Sequence, residues 1–222
     1  MLMGSNLSSE PVVLDGPDKA LVAHAKNAGK PGAESGKILL ERMNSSHQEM
    51  ALWALGALDL SQPIVDALDI GCGGGQNIKN ILGLAPDAHV HGVDHSEVAL
   101  SLAREVLADE IAADQVELHE ASVLSMPFAD ESFDLVLACE TIYFWPEIDK
   151  AFAEVKRVLR PGGRFLIICE DGYPGKGFSE YVHVRSLEEI EALVQQAGFM
   201  SFCGLRHRPD RWIAGVAVKA LG

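Results

Sequence analysis

The chain has 222 residues, with 18 Lys plus Arg against 32 Asp plus Glu and a formal net charge of -14. A hydrophobic fraction of 48% supplies a full core without disulfide or metal staples, while the acidic balance argues against nucleic acid as a partner, because that affinity comes largely from Lys and Arg displacing counterions. Cys72, Cys139, Cys169 and Cys203 are far apart with no CxxC pairing, which points to the reducing cytoplasm, and with no apolar run near 20 residues and no Lys or Arg before Lys19, neither a membrane span nor an export signal is expected.

Residues 1–33 are rich in Gly, Pro, Ser and Asn and are expected to form a mobile N-terminal arm. Residues 34–62 are predicted to form a helical lid of two short helices. The first runs from Glu34 to Met43, and the second is opened by the capping box Ser46-x-x-Glu49 and carries Met50, Trp53, Leu55 and Leu58. From residue 63 to 222 a single α/β domain is expected, because apolar runs alternate with amphipathic stretches. The predicted strands are Ile64 to Ile70, His89 to Val93, Val116 to His119, Phe133 to Ala138 and Arg164 to Cys169.

Between these strands, Val98, Leu102 and Val106 share one helix face, and so do Ile148, Phe152, Val155 and Leu159. The second of these helices is predicted to begin at Pro146 and to stop at Arg160-Pro161-Gly162-Gly163. A last helix is announced by Ser186-x-x-Glu189 and ends at Gly198. The chain then closes with two apolar runs, Met200 to Leu205 and Trp212 to Val218, which read as an antiparallel pair.

The strongest chemical signal is Ala67-Leu68-Asp69-Ile70-Gly71-Cys72-Gly73-Gly74-Gly75, a strand that runs into a glycine-rich turn and then a helix. Glycine admits positive φ and removes the Cβ that would block a ligand, and the free N–H groups of the helix start favour a carboxylate or phosphate. A dinucleotide site of the G-x-G-x-x-G kind needs Gly where this chain has Gln76. Asp69 would repel a pyrophosphate but suits a ligand ammonium group, directly or through water. Asp94 closes the second strand and is placed to accept hydrogen bonds from ribose hydroxyls. A nucleoside carrying an amino acid fits this pattern.

The glycine run resembles motif I of class I S-adenosylmethionine-dependent methyltransferases, and the likeness extends over roughly residues 64–219. It continues in Gly92-Val93-Asp94-His95-Ser96, in the stretch Met126 to Val136 and in Glu154 to Gly163. The resemblance is to the type 11 group of small methyltransferases. It implies a Rossmann-like seven-stranded, mostly parallel sheet with an antiparallel C-terminal strand and helices on both faces. It further implies S-adenosylmethionine as cofactor, S-adenosylhomocysteine as product and a small-molecule methyl acceptor. Carried over residue by residue, Asp69, Gly71 and Gly73 would hold the amino acid end, Asp94 the ribose, and His95, Ser122 and Val123 the adenine. Cys72, Asn77 and Cys139 complete the implied cofactor set. Ser122 departs from the commoner pattern, which often has an Asp there; a serine hydroxyl accepts a hydrogen bond but offers no charge.

The methyl acceptor is expected at Cys139-Glu140-Thr141-Ile142-Tyr143-Phe144-Trp145-Pro146, at the carboxyl edge of the sheet. This stretch is not the Asn-Pro-Pro-Tyr or Asp-Pro-Pro-Tyr of amide and nucleobase methylation. Glu140, Tyr143 and His47 are the candidate catalytic residues, and Asn44 and Trp145 the candidate substrate-binding ones. His47 has an ordinary pKa near 6.5, suited to a base. His89, His91 and His95 invite a metal check, but no clustered Cys or carboxylate completes a ligand set in the sequence, and no metal is expected. Two other readings stay open: an NAD-linked oxidoreductase and a catalytically silent S-adenosylmethionine-binding partner protein. No Tyr-x-x-x-Lys pair follows Tyr143, Tyr173 or Tyr181, and the oligomeric state is not encoded in any pattern found.

Overall fold

The computed structural model describes residues 47–171, 186–209 and 212–222. The predicted arm over residues 1–33 and the helix from Glu34 to Met43 lie outside the described residues, as do Asn44 and Ser46. The elements are α1 (Gln48–Leu55), β1 (Asp66–Ile70), α2 (Gln76–Leu84), β2 (His89–Asp94), α3 (Glu97–Val106), α4 (Ala108–Ala112), β3 (Val116–Glu120), β4 (Phe133–Cys139), a 3-10 turn (Ile142–Phe144), α5 (Ile148–Val158), β5 (Leu159–Glu170), α6 (Leu187–Gln196), β6 (Ser201–His207) and β7 (Trp212–Val218).

Seven strands form one sheet in the order β3-β2-β1-β4-β5-β7-β6. The pairs from β3 to β5 are parallel, and β7 runs antiparallel to both neighbours. The expected seven-stranded, mostly parallel sheet with an antiparallel last strand is therefore the observed architecture. Strand order reverses between β1 and β4, so the carboxyl ends of β1, β2 and β4 border the crevice where open α/β sheets take ligands.

Successive side chains of a strand face opposite sides, and two cores result. Val136 and Ala138 of β4, with Phe165 and Ile167 of β5, face α5 and α6 through Phe152, Val155, Ile190 and Val194. Leu135 and Leu137, with Leu166 and Ile168, face α1 and α2 through Met50, Ala51, Ile78 and Ile81. Helix α1 is thus packed into the main domain. Asp134 accepts hydrogen bonds from the amides of Val65 and Asp66 at 2.9 and 3.0 Å, and Arg160 bridges Asp66 and Asp134 at 2.7 and 2.9 Å. These contacts fix the start of β1.

Several boundaries differ from the predicted ones. His47, not Ser46, is the N-cap of α1, and its side chain makes no capping bond. Pro146 precedes the N-cap of α5, which is Glu147 at φ 44°. Strand β5 begins at Leu159, where Leu159 pairs with Phe133, before the ladder slips and resumes at Leu135–Arg164. The Pro-Gly-Gly stretch that signals a helix stop is absorbed in this irregularity, with Gly162 at φ 77°. In α3, Leu100 and Ala103 are buried in the main core with Val106 packed against it, and the expected face of Val98, Leu102 and Val106 forms a small satellite cluster with Ala99. The box at Ser186 forms in full: its hydroxyl accepts from the Glu189 amide, and the Glu189 carboxylate accepts from the Ser186 amide.

Candidate active site

The turn after β1 is held from two sides. The Gly71 and Cys72 amides donate to the Val93 carbonyl at 2.7 and 3.1 Å, and the Gly73 amide donates to Asp94 Oδ2 at 3.0 Å. Asp94 Oδ1 accepts from the Ser96 amide at 2.9 Å. One carboxylate therefore joins the glycine turn to the start of α3. Gly71 has φ 71°, and a Cβ there would lie 2.5 Å from Thr141 Cγ2. Gly75, the N-cap of α2 at φ 84°, would place a Cβ 2.7 Å from Leu107. Both positions require glycine for conformation and for space.

This turn opens on a cavity of about 380 Å³ at the carboxyl ends of β1, β2 and β4. Of the residues singled out in the sequence, His47, Gly71, Cys72, Gly73, Asn77, Asp94, His95, Ser122, Val123, Cys139, Glu140 and Trp145 line it. The structure brings these together from stretches far apart in the chain. It does not place Asp69 or Tyr143 among the lining residues, so neither forms part of the cavity wall, and the role expected of Asp69 falls to its through-water form.

Asp69 is 1% exposed, and neither carboxylate oxygen has a hydrogen-bond partner among the described residues. It points with Ala67 to the α2 side of β1, the side of Cys72 and Cys139, because strand side chains alternate. Burial, and then the neighbouring Asp94 charge, push its pKa up to about 8. Tyr143 is buried; its hydroxyl donates to Glu140 Oε1 at 2.7 Å, and the Glu170 amide donates to both Tyr143 Oη and Glu140 Oε1 at 2.8 and 2.7 Å. Tyr143 and the Glu170 amide together hold the Glu140 carboxylate. Glu140 itself has φ 57°, a strained conformation for a non-glycine residue.

Burial lowers the His47 pKa, with the Glu170 charge acting the other way, so its imidazole is neutral at pH 7. Burial pushes the Cys72 and Cys139 thiols well up, which makes them walls and not nucleophiles. Trp145 stacks on Phe165 with an interplanar angle of 7°, so one face of its ring belongs to the core. His95 Nδ1 sits 3.7 Å from Asp94 Oδ1. Thr141, Phe144 and Pro146, from the stretch where the acceptor is expected, also line the cavity, and so does Gln76, to which the sequence assigns no role. The signal for Thr141 was its adjacency to Glu140; its hydroxyl donates to the Ile70 carbonyl at 3.2 Å, which brings it over Gly71.

Away from this cavity, His91 meets His119 and Glu117 of the neighbouring strand. Among the described residues, pairing between strands thus brings two imidazoles and one carboxylate together, while His89 and His95 stay outside the group.

Residues 68–167 match the family model described as "Methyltransferase domain". Over that stretch the chain is similar to methyltransferase domains. It is 36% identical over 144 residues to methyltransferase GfsG of Streptomyces halstedii, covering 59% of this chain and 51% of that protein. It is 31% identical over 141 residues to O-methyltransferase cnsE of Penicillium expansum, covering 60% and 51%. The chain thus spans about half the length of these curated relatives. Among solved structures, phosphoethanolamine N-methyltransferase 2 of Haemonchus contortus, in complex with phosphomonomethylethanolamine and S-adenosylhomocysteine, superposes with a TM-score of 0.67 at 22% identity, over 78% of this chain and 52% of that one. That likeness is one of fold. Among the described residues, no helix is long and apolar enough to cross a membrane.

Proposed function

We propose that this chain is an S-adenosylmethionine-dependent methyltransferase that acts on a small-molecule acceptor. The observation that carries this reading is Asp94, bonded to the glycine turn and lining a cavity of about 380 Å³, with the buried carboxylate of Asp69 close enough to feel its charge. S-adenosylmethionine has an ammonium group, a carboxylate, ribose hydroxyls and a flat base, and each finds a complement. Asp69 is a buried carboxylate without a partner, so a cation bound near the turn offsets its desolvation. The first turn of α2 lacks a side-chain cap and leaves N–H groups for a carboxylate. Asp94 keeps acceptor capacity for the ribose, and His95, Ser122 and Val123 flank the base.

When bound, the cofactor supplies an electrophilic methyl group on a sulfonium sulfur. The chain's own contribution is alignment, which in an in-line displacement supplies much of the rate. Phe144, Trp145 and Pro146 give the acceptor an apolar wall. Glu140, fixed by Tyr143 and the Glu170 amide, orients a polar or cationic group on the acceptor. His47, neutral at pH 7, takes a proton where the acceptor arrives protonated. Buried free thiols at Cys72, Cys139 and Cys169 fit a reducing cytoplasm.

The test is transfer of labelled methyl from S-adenosylmethionine to fractionated cell extract. Label in the small organic fraction is expected. Label confined to nucleic acid or protein fractions would overturn the small-molecule reading.

A further inference from the structure

We propose that His91, Glu117 and His119 form a binding site for a divalent transition-metal ion of the zinc class, at the β2–β3 edge of the sheet and separate from the methyl-transfer cavity. His91 Nδ1 lies 3.2 Å from His119 Nε2. Glu117 Oε2 lies 3.9 Å from the first and 3.7 Å from the second. The nearest point equidistant from these three atoms, in their own plane, is about 2.1 Å from each, so a small inward shift of Glu117 suffices for a tetrahedral ion at the bond lengths zinc takes to imidazole nitrogen and carboxylate oxygen. The register explains the grouping. His91 pairs with Glu117, and His119 follows two positions later on the same face of β3.

The imidazoles are held before any ion arrives. Phe128 makes edge contacts with both rings, at centroid distances of 5.3 and 5.0 Å, and Phe133 contacts His91 at 5.4 Å. Glu117 is mostly exposed, so it closes on an ion with little displacement of the fold, and solvent supplies a fourth ligand. Two imidazoles and one carboxylate suit zinc and its first-row neighbours and are poorly matched to Mg²⁺ or Ca²⁺. Binding requires no net proton loss from neutral rings: the proton lying between the two nitrogens moves to the other nitrogen of its own ring. None of the residues around this cluster lines the methyl-transfer cavity.

An ion here would tie β3, the edge strand, to β2. The test uses the full chain without an affinity tag, freed of metal by chelation and titrated with Zn²⁺ by calorimetry and with Co²⁺ by visible absorption. Glu117→Gln and His119→Ala are run alongside, and Cys203→Ser removes the exposed thiol. One saturable equivalent in the parent and in Cys203→Ser is expected, weakened about 10- to 100-fold or lost in the other two. Zn²⁺ should also raise the Tm of the parent and not of His119→Ala. Absence of saturable binding, equal binding in all variants, or loss only in Cys203→Ser would overturn the proposal and leave a plain histidine–histidine hydrogen bond.

Discussion

Replacing Asp69 by Asn removes a charge that the fold leaves unsolvated, and the consequence is a change in how stability depends on pH. In the unfolded chain an aspartate loses its proton near pH 3.9, whereas the folded chain holds it to about 8. Between these values the native state carries the extra proton, so Asp69 makes stability fall as pH rises, by about 1.4 kcal/mol per pH unit. The penalty is absent below pH 3.9 and levels off above 8. From pH 5 to pH 7 it amounts to about 3 kcal/mol, or roughly 6–12 °C in Tm for a chain of this size. The introduced amide does not titrate, and any constant cost of burying it cancels when the same variant is compared across pH. Thermal unfolding of the ligand-free parent and Asp69→Asn at pH 5, 6, 7 and 8, followed by circular dichroism, should show the variant gaining on the parent as pH rises. Its affinity for S-adenosylhomocysteine should fall meanwhile. Parallel Tm curves for the two proteins would refute the buried, partnerless carboxylate.

Three further outcomes follow from the same geometry. Gly71→Ala forces a side chain into φ 71° and against Thr141, and should cost about 2–4 kcal/mol in denaturant unfolding; adding Thr141→Ser should recover part of it. Tyr143→Phe removes a buried hydroxyl bonded to Glu140, so a loss of about 1.5–3 kcal/mol is expected, with turnover reduced and cofactor affinity kept. Steady-state kinetics beside cofactor titration separates these effects. Ser186→Ala breaks the reciprocal cap of α6 and should lower stability by about 1 kcal/mol, readable as a Tm shift of a few degrees in a thermal melt.

The sheet was legible because its central strands are apolar runs broken by turn signals, and α6 because its cap and its Gly198 stop are both local. What failed to be legible depends on contacts distant in sequence. Leu159 joins β5 because Phe133 is there to pair with, against the local stop signal at Pro161. The strand period shows that Asp69 and Ile70 face opposite sides, but not which side holds the cavity. Tyr143 and Glu140 were correctly grouped as neighbours in sequence, yet their division of labour rests on the Glu170 amide, far along the chain. The grouping of His91 with Glu117 and His119 likewise comes from the ladder between β2 and β3 and not from its own strand.

The decisive measurement is a calorimetric titration of the full chain with S-adenosylhomocysteine, with NADH as a control and Asp94→Ala in parallel. A saturable site for S-adenosylhomocysteine, weakened in the variant and unseen with NADH, is the expected result. Binding of NADH alone would make the glycine turn a dinucleotide site, and silence toward both ligands would contradict the assignment of the cavity to the methyl donor.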